Sequence, residues 1–200
     1  GVEIDSVTAS NFVTSGFQVQ QGPMVLRFVS SENNGQHGIG FQEDPLGMAF
    51  GGWVSVINPR TKNCEGYGID FAGGKIRCEN HFDDGSWYGN AKAAGGLSHL
   101  IIRGAQWLNA AGNPADATSG FGFLTTGAGA DFADTTLDID GVYVEGAASS
   151  GFLIGAFDGT VKLGKIVCRN NMPSVVATEQ GDIHIIADRV TAEHLESHNS

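Results

Sequence analysis

The sequence of 200 residues is short of charge, and of basic side chains above all. Charged residues make up 16% of it, and 11 lysines and arginines stand against 22 aspartates and glutamates, a net charge of −11. A surface that binds duplex nucleic acid needs a basic patch, so this balance disfavours nucleic acid as a partner. Only five prolines are present, and the glycines follow no strict three-residue period, which excludes a collagen-like chain.

Long apolar runs and closely spaced cysteines are also missing. No apolar run approaches the ~18 residues that a membrane-spanning helix needs, and no basic start precedes a short apolar segment. The sequence therefore predicts neither a membrane span nor a signal peptide. The three cysteines include no Cys-x-x-Cys pair, which leaves a zinc knuckle unsupported.

Glycine is abundant instead, with 30 residues, and it belongs to a repeat of about 22 residues. An asparagine, four residues, a glycine and then alternating apolar residues recur from Asn11, from Asn33 and from Asn63. Looser copies run from Asn109 to Gly120, from Gly146 to Gly151 and from Asn170 to Ser174. Alternating apolar residues also precede each of these starts, in about eight copies. Short alternating runs are typical of strands, and their repetition predicts a solenoid.

One position of the alternating pattern predicts a column of stacked core residues. Its members are Ile4, Leu26, Val56, Cys78, Ile102, Ile139, Leu163 and Ile185. Trp107 and Cys168 also fall at inward positions, and we expect Cys78 and Cys168 to be buried and reduced.

The repeat resembles the right-handed parallel β-helix of the pectin-lyase-like superfamily, over essentially the whole chain. The resemblance rests on the coil length and on the asparagines that recur at one turn: Asn11, Asn33, Asn63, Asn109 and Asn170. It implies an all-β fold of about eight coils in which these asparagines stack as a hydrogen-bonded ladder. The superfamily includes pectate lyases, polygalacturonases, epimerases and bacteriophage tailspikes, so the resemblance alone does not name a reaction.

The domain organisation expected from the repeat is one β-helix over residues 1–190. Residues 191–200 are polar and are expected to form a C-terminal tail or the start of a following segment. Because the first strand begins almost at Gly1 with no capping helix before it, we expect the chain to be a piece of a longer protein or to be covered by another chain.

Charges of both signs concentrate on the outward positions of the first strand, in the fourth to seventh coils. Glu79, Asp138 and Asp140 are the candidate acids and bases for glycosidic cleavage or proton abstraction. Arg103 and Lys162 are the candidate groups that bind anionic or hydroxyl groups of a substrate. The alternative is a ladder of surface ion pairs without chemistry, each contributing about 0–1 kcal/mol.

Trp87 and Tyr88 lie in an irregular stretch beside acidic residues, a composition typical of a platform on which a sugar ring stacks. The alternative is a loop held against the solenoid by its aromatic side chains. Ca²⁺ is the one candidate cofactor, with oxygen ligands from Asp83, Asp84, Asp131 and Asp134. No other metal site is predicted.

Three functional hypotheses follow. The first is a tailspike-type domain that binds or depolymerises a polysaccharide; the resemblance then implies a virion-surface or extracellular location and makes a homotrimer a candidate assembly. The second is a free-standing polysaccharide lyase, glycoside hydrolase or epimerase. The third is a structural shaft or adhesin segment that catalyses no reaction. A lyase acting on polyuronates needs several basic groups in its groove, and the scarcity of such residues weakens that version.

Overall fold

The structure, a computed structural model, describes residues 1–20, 22–41, 52–112, 119–127, 132–172 and 182–198. Over these ranges the chain forms sixteen β-strands and no α-helix, and the strand pairings are parallel. The strands are β1 Val2–Asp5, β2 Thr8–Ser10, β3 Phe17–Val19, β4 Met24–Arg27, β5 Ser30–Glu32, β6 Ile39–Phe41, β7 Trp53–Ile57, β8 Arg60–Lys62, β9 Tyr67–Phe71, β10 Gly74–Asp84, β11 Gly89–Ala94, β12 Leu97–Leu108, β13 Phe121–Thr126, β14 Thr136–Glu145, β15 Phe152–Arg169 and β16 Ile183–His198.

The strands wind into a right-handed parallel β-helix, the fold expected from the resemblance, and each coil has three strand positions. In the first three coils the three positions are separate strands: β1 to β3, β4 to β6 and β7 to β9. From the fourth coil onward the first two positions merge into one long strand, as in β10, β12 and β14. Strand β15 supplies the third position of the sixth coil and then the first two of the seventh, and β16 continues in the same way into an eighth coil.

The predicted core column of the first strand position is confirmed over seven coils and wrong at the eighth. Parallel register joins Ile4 through Leu26, Val56, Cys78, Ile102 and Ile139 to Leu163. The next member is Ala192, whereas Ile185 pairs with Ile154 in the third strand position. Alternating apolar residues identify a strand but do not show which of the three strand positions it occupies. Sequence analysis therefore assigned Ile183 and Ile185 to the first position of the eighth coil, one strand position too late.

Aromatic residues fill the core beside the second and third strand positions. Trp107 is fully buried and stacks on Phe123 at 5.7 Å between ring centroids, and Phe123 stacks on Phe152 at 4.8 Å. Phe41 and Phe71 stack at 6.0 Å in the earlier coils. Because successive coils repeat the same spacing, similar residues lie over one another. The apolar area buried between them stabilises the stack of coils.

The asparagine turn is confirmed, with exposed side chains, but the expected ladder of five asparagines is wrong beyond Asn63. Gly85 and Gly146 occupy the same turn in the intervening coils, so the amides of Asn109 and Asn170 donate instead to Asp84 Oδ1 at 2.9 Å and to Glu145 Oε1 at 3.2 Å. Asn11, Asn33 and Asn63 occupy the same turn in successive coils with φ of 60°, 54° and 49°, and the Asn63 amide donates to Asn33 Oδ1 at 3.4 Å. Sequence analysis missed a second such ladder at the preceding turn, where Asn58 and Asn80 have φ of 53° and 55° and the Asn80 amide donates to Asn58 Oδ1 at 3.0 Å. Asparagine suits both turns because it tolerates the left-handed backbone and its amide bonds the next coil.

Replacing Asn33 by alanine is expected to lower the free energy of unfolding by about 1 kcal/mol, because alanine is strained in the left-handed region. Replacing it by glycine removes the same amide without the strain, and we expect a loss of at most a few tenths of a kcal/mol. Urea denaturation of both variants measures the difference. Equal losses would show that the side-chain ladder, rather than the backbone conformation, explains the asparagine.

A column of glycines lies where the third strand position begins. Its members in register are Gly16, Gly38, Gly68, Asn90, Gly122, Gly151 and Asp182. A Cβ on Gly38 would lie 2.5 Å from the Gly68 carbonyl oxygen, and one on Gly122 would lie 2.3 Å from that of Gly151. Five of these seven positions are glycine because the next coil passes close to them, whereas the side chains of Asn90 and Asp182 fit by hydrogen-bonding to Asp83 and to Asn171. The assignment of Gly120 to the fifth copy is corrected to Gly122, and Asp182 replaces Ser174, which lies outside the described residues.

A buried polar network lies beside this column. The Trp107 indole donates to His81 Nδ1 at 2.9 Å, so the proton of His81 is on Nε2 and bonds Thr61 Oγ1 at 2.8 Å. Thr61 donates to Asp83 Oδ1 at 2.6 Å, and Ser86 donates to the same oxygen at 2.8 Å. Burial raises the pKa of Asp83 to about 7 and lowers the pKa of His81 to about 3.

This network removes Asp83 from the calcium hypothesis. Asp83 is fully buried and occupied by the hydroxyls that donate to it, while Asp84 accepts a bond from the Asn109 amide at 2.9 Å. Asp134 is exposed, and Asp131 lies outside the described residues. The part of the chain that the structure describes holds no group of three or more side chains placed to bind a metal ion.

Cys64, Cys78 and Cys168 are all free and buried. Burial raises the pKa of the Cys78 thiol, which keeps it in the inert thiol form.

At the C-terminal end, β16 stays paired with β15 through His198, so the parallel stack extends past residue 190. Within the described ranges no helix has the length and apolar character that a membrane crossing requires.

Candidate functional site

Four of the seven predicted site residues meet in one groove on the outer face of the strands in the first position. We call it the charged groove. Its volume is about 320 Å³, and it is lined by Arg103, Asp138, Asp140, Lys162, Leu163, Gly164, Thr191 and Glu193. Adjacent parallel strands place Arg103 beside Asp140 and Asp138 beside Lys162. The outward-facing residues of the first strand position continue onto β16 as Thr191 and Glu193. Sequence analysis missed these two groove residues because it placed the eighth coil wrongly.

The acids of the charged groove are engaged in structural contacts. Arg103 forms an ion pair with the Asp138 carboxylate at 2.7 Å and donates to the Asp138 carbonyl oxygen at 2.8 Å. Asp140 Oδ1 accepts the backbone N–H of Lys165 at 2.7 Å, and it lies over Gly164, where a Cβ would come within 2.2 Å of it. Fixed carboxylates beside two cations suit the binding of a polar or zwitterionic ligand. Asp138 and Asp140 are also a pair of acids on one strand face, which is what the catalytic hypothesis requires.

Glu79 does not line the charged groove. It pairs with Arg77 on its own strand at 2.5 Å, and Arg27 pairs with Glu3 at 2.9 Å in the first coils. These contacts on the same face are what the surface ion-pair alternative predicts.

Trp87 and Tyr88 line a different groove, which we call the aromatic groove. Its volume is about 540 Å³, and its lining shares no residue with the charged groove: Gly35, Gln36, His37, Glu65, Gly66, Tyr67, Trp87 and Tyr88. It crosses the turns that lead into the third strand position of the second, third and fourth coils. Trp87 leaves 44% of its surface exposed, whereas Tyr88 is partly buried and packs on the apolar cluster of Tyr67, Phe121, Leu124 and Leu153. Trp87 therefore has the exposure that the platform hypothesis requires, and Tyr88 has the packing that the loop-anchoring alternative predicts.

A set of buried contacts fixes the floor of the aromatic groove. The His37 ring stacks on Tyr67 at 5.9 Å, and its Nδ1 accepts the Tyr67 backbone N–H at 3.1 Å. His37 Nε2 therefore carries the proton and faces Asp70 Oδ2 at 3.3 Å, while the Lys92 ammonium pairs with the same oxygen at 2.8 Å. The Lys92 ammonium also lies 5.0 Å from the centre of the Tyr67 ring. These contacts hold the buried Tyr67 in place.

Burial lowers the pKa of His37 below its usual value, although Asp70 acts in the opposite direction. His37 is therefore neutral at physiological pH, and Lys92 is neutralised by Asp70. Glu65, exposed on the groove wall, is the charged side chain that a ligand meets.

Sequence analysis missed Tyr67, His37 and Glu65 as partners of Trp87. They come from turns of different coils: Glu65 lies 22 residues before Trp87, and His37 lies 50 residues before it. The available signal was the repeat itself, because Glu65 and Trp87 each lie two residues past the corresponding turn residue, Asn63 and Gly85.

Comparison of the chain with family models, with curated proteins and with solved structures finds no match. Its function is therefore inferred from the two grooves.

Proposed function

We propose that this β-helix binds a polysaccharide in the aromatic groove. The observation that carries the proposal is the exposed Trp87 beside Tyr67 and Tyr88 in a groove whose remaining lining is polar. A sugar ring offers an apolar face for stacking and hydroxyls for hydrogen bonds, and this groove supplies the exposed face of Trp87, the Gln36 amide and the Glu65 carboxylate.

The rigid support of the groove favours binding over a merely structural role. Tyr67 is buried and held by His37 and Lys92, so the base of the groove is formed before any ligand arrives. An indole that only anchored a loop would gain by packing against the solenoid, as the partly buried Tyr88 does, whereas Trp87 stays 44% exposed. A polysaccharide is the proposed partner; an extracellular or virion-surface setting and a homotrimeric assembly rest on the sequence resemblance alone.

Replacing Trp87 by alanine is expected to weaken glycan binding by about tenfold or more, because both the stacking contact and its buried area are lost. Trp87→Phe keeps an aromatic face and should retain most of the binding. A microarray of bacterial polysaccharides probed with wild type and both variants measures this, with thermal melts to show that all three are folded. Binding that is equal in wild type and the alanine variant would exclude the aromatic groove as the site.

A second candidate function is glycan cleavage in the charged groove. The observation that favours it is that Asp138, Asp140 and Glu193 gather beside Arg103 and Lys162, which provides acids together with cations. A carboxyl group that acts as general acid or base contributes about 10²-fold or more to the rate.

Asp138→Asn and Asp140→Asn are therefore expected to reduce polysaccharide depolymerisation by about 10²-fold if this groove is catalytic. Release of reducing ends from polysaccharides bound on the array measures the rate, and Glu3→Gln, at an ion pair of the first coils, serves as the control. Unchanged turnover in both aspartate variants would leave the groove as part of the surface ion-pair ladder.

A further inference from the structure

We infer that the ligand of the aromatic groove presents a positively charged ammonium group to it. The inference rests on the proposed function for the place of binding, and it narrows the substrate class to glycans that carry an amino sugar or a choline substituent. Acidic polysaccharides, such as polyuronates, are excluded by the same argument.

The first line of support is the exposed aromatic face of Trp87. Its surface is 44% exposed, and it lies beside the partly buried Tyr88 on the same groove. The face of an aromatic ring is the negative part of its quadrupole and attracts cations, and the indole ring does so most strongly. Tyr67 is buried and already contacts His37, Tyr88 and the Lys92 ammonium, so it supports the groove rather than facing the ligand.

The second line of support is charge. The eight residues that line the groove include one carboxylate, Glu65, and no lysine or arginine. The Lys92 ammonium beside Tyr67 is paired with Asp70 at 2.8 Å, and His37 uses Nδ1 to accept a backbone N–H and Nε2 to contact the same aspartate. Among the described residues that line the groove, none therefore supplies an unpaired positive charge to attract an anionic sugar. The net charge of −11 of the whole chain adds a long-range attraction for cations.

The charged groove provides a comparison within the same molecule, because its lining carries cations. Arg103 and Lys162 line it together with Asp138, Asp140 and Glu193, so a ligand ammonium meets repulsion as well as attraction there. A probe that carries an ammonium should therefore select the aromatic groove of the two.

The test uses two small probes of the same shape. Choline carries a quaternary ammonium, and 3,3-dimethylbutan-1-ol is its neutral carbon isostere. Titration of the intact protein with each, followed by NMR shifts of the Trp87 indole N–H, should give choline an affinity about five- to thirtyfold higher. Glu65→Gln should reduce choline binding without changing that of the isostere, and Glu193→Gln in the charged groove should change neither.

A second pair of probes separates the two sources of an ammonium. Glucosamine and N-acetylglucosamine differ in that charge, so a preference for glucosamine assigns the group to an amino sugar, and a preference for choline alone assigns it to a choline substituent. No preference in either pair, or a preference that survives Trp87→Ala, would overturn the inference. Loss of polysaccharide binding in Trp87→Ala without any ammonium preference would overturn it while leaving the proposed function standing.

Discussion

Replacing Trp107 by alanine is expected to lower the free energy of unfolding by about 3–5 kcal/mol, the largest effect of any single substitution we propose. The indole is fully buried and stacks on Phe123, so its removal leaves a cavity between the second and third strand positions. The change also removes the donor to His81 Nδ1, which leaves a buried acceptor without its partner.

Trp107→Phe is the matched control, because it retains a stacked ring and removes only the indole N–H. We expect it to cost about 1–3 kcal/mol, the penalty of one unsatisfied buried polar group plus the smaller ring. Chemical denaturation of both variants gives the two values. A phenylalanine variant as stable as the wild type would show that the chain from Trp107 through His81 and Thr61 to Asp83 contributes nothing to stability.

The second large effect is expected at Gly122, where alanine should destabilise the fold by about 1–3 kcal/mol or prevent it from forming. Its Cβ would lie 2.2 Å from Val144 Cγ1 and 2.3 Å from the Gly151 carbonyl oxygen. The second contact is with backbone, which cannot move aside without separating two coils. Melting temperature and yield of soluble protein report the effect.

Gly155→Ala provides the control for Gly122→Ala, since a Cβ at Gly155 meets no atom within 4 Å. Alanine there should leave the free energy of unfolding unchanged or raise it by up to about 1 kcal/mol, because it reduces the entropy of the unfolded chain. Equal destabilisation at both positions would mean that the glycine column reflects a general preference of these strands rather than close contact between coils.

The fold could be predicted from the sequence because a solenoid repeats its constraints. Each coil must again supply an inward apolar residue and a turn residue that tolerates positive φ, and most coils supply a glycine where the next coil approaches, so Asn33 and Gly38 recur as Asn63 and Gly68. The errors fall where the repeat is interrupted. Gly120 fits the alternating pattern better than Gly122, which is followed by Phe123 and then Thr125, and the pairing of β13 with β11 shows that Gly122 is the member of the column.

The candidate sites were predictable to different degrees for a similar reason. Arg103, Asp138, Asp140 and Lys162 lie on adjacent rungs of one sheet, so their register follows from the repeat and their groove could be anticipated. The aromatic groove is built from turns, where Tyr67 and His37 meet Trp87 through backbone conformations that alternation does not encode. Trp87 was identified from its type and its acidic neighbours, while its partners required the structure.

The central claim is that the aromatic groove, rather than the charged groove, carries ligand binding. The measurement that tests it most directly is polysaccharide microarray binding of Trp87→Ala and of Asp138→Asn, compared with wild type at equal concentration. The account predicts that Trp87→Ala loses about tenfold in affinity and that Asp138→Asn binds as the wild type does. Full binding by Trp87→Ala together with loss in Asp138→Asn would contradict it and place the ligand on the outer face of the first sheet.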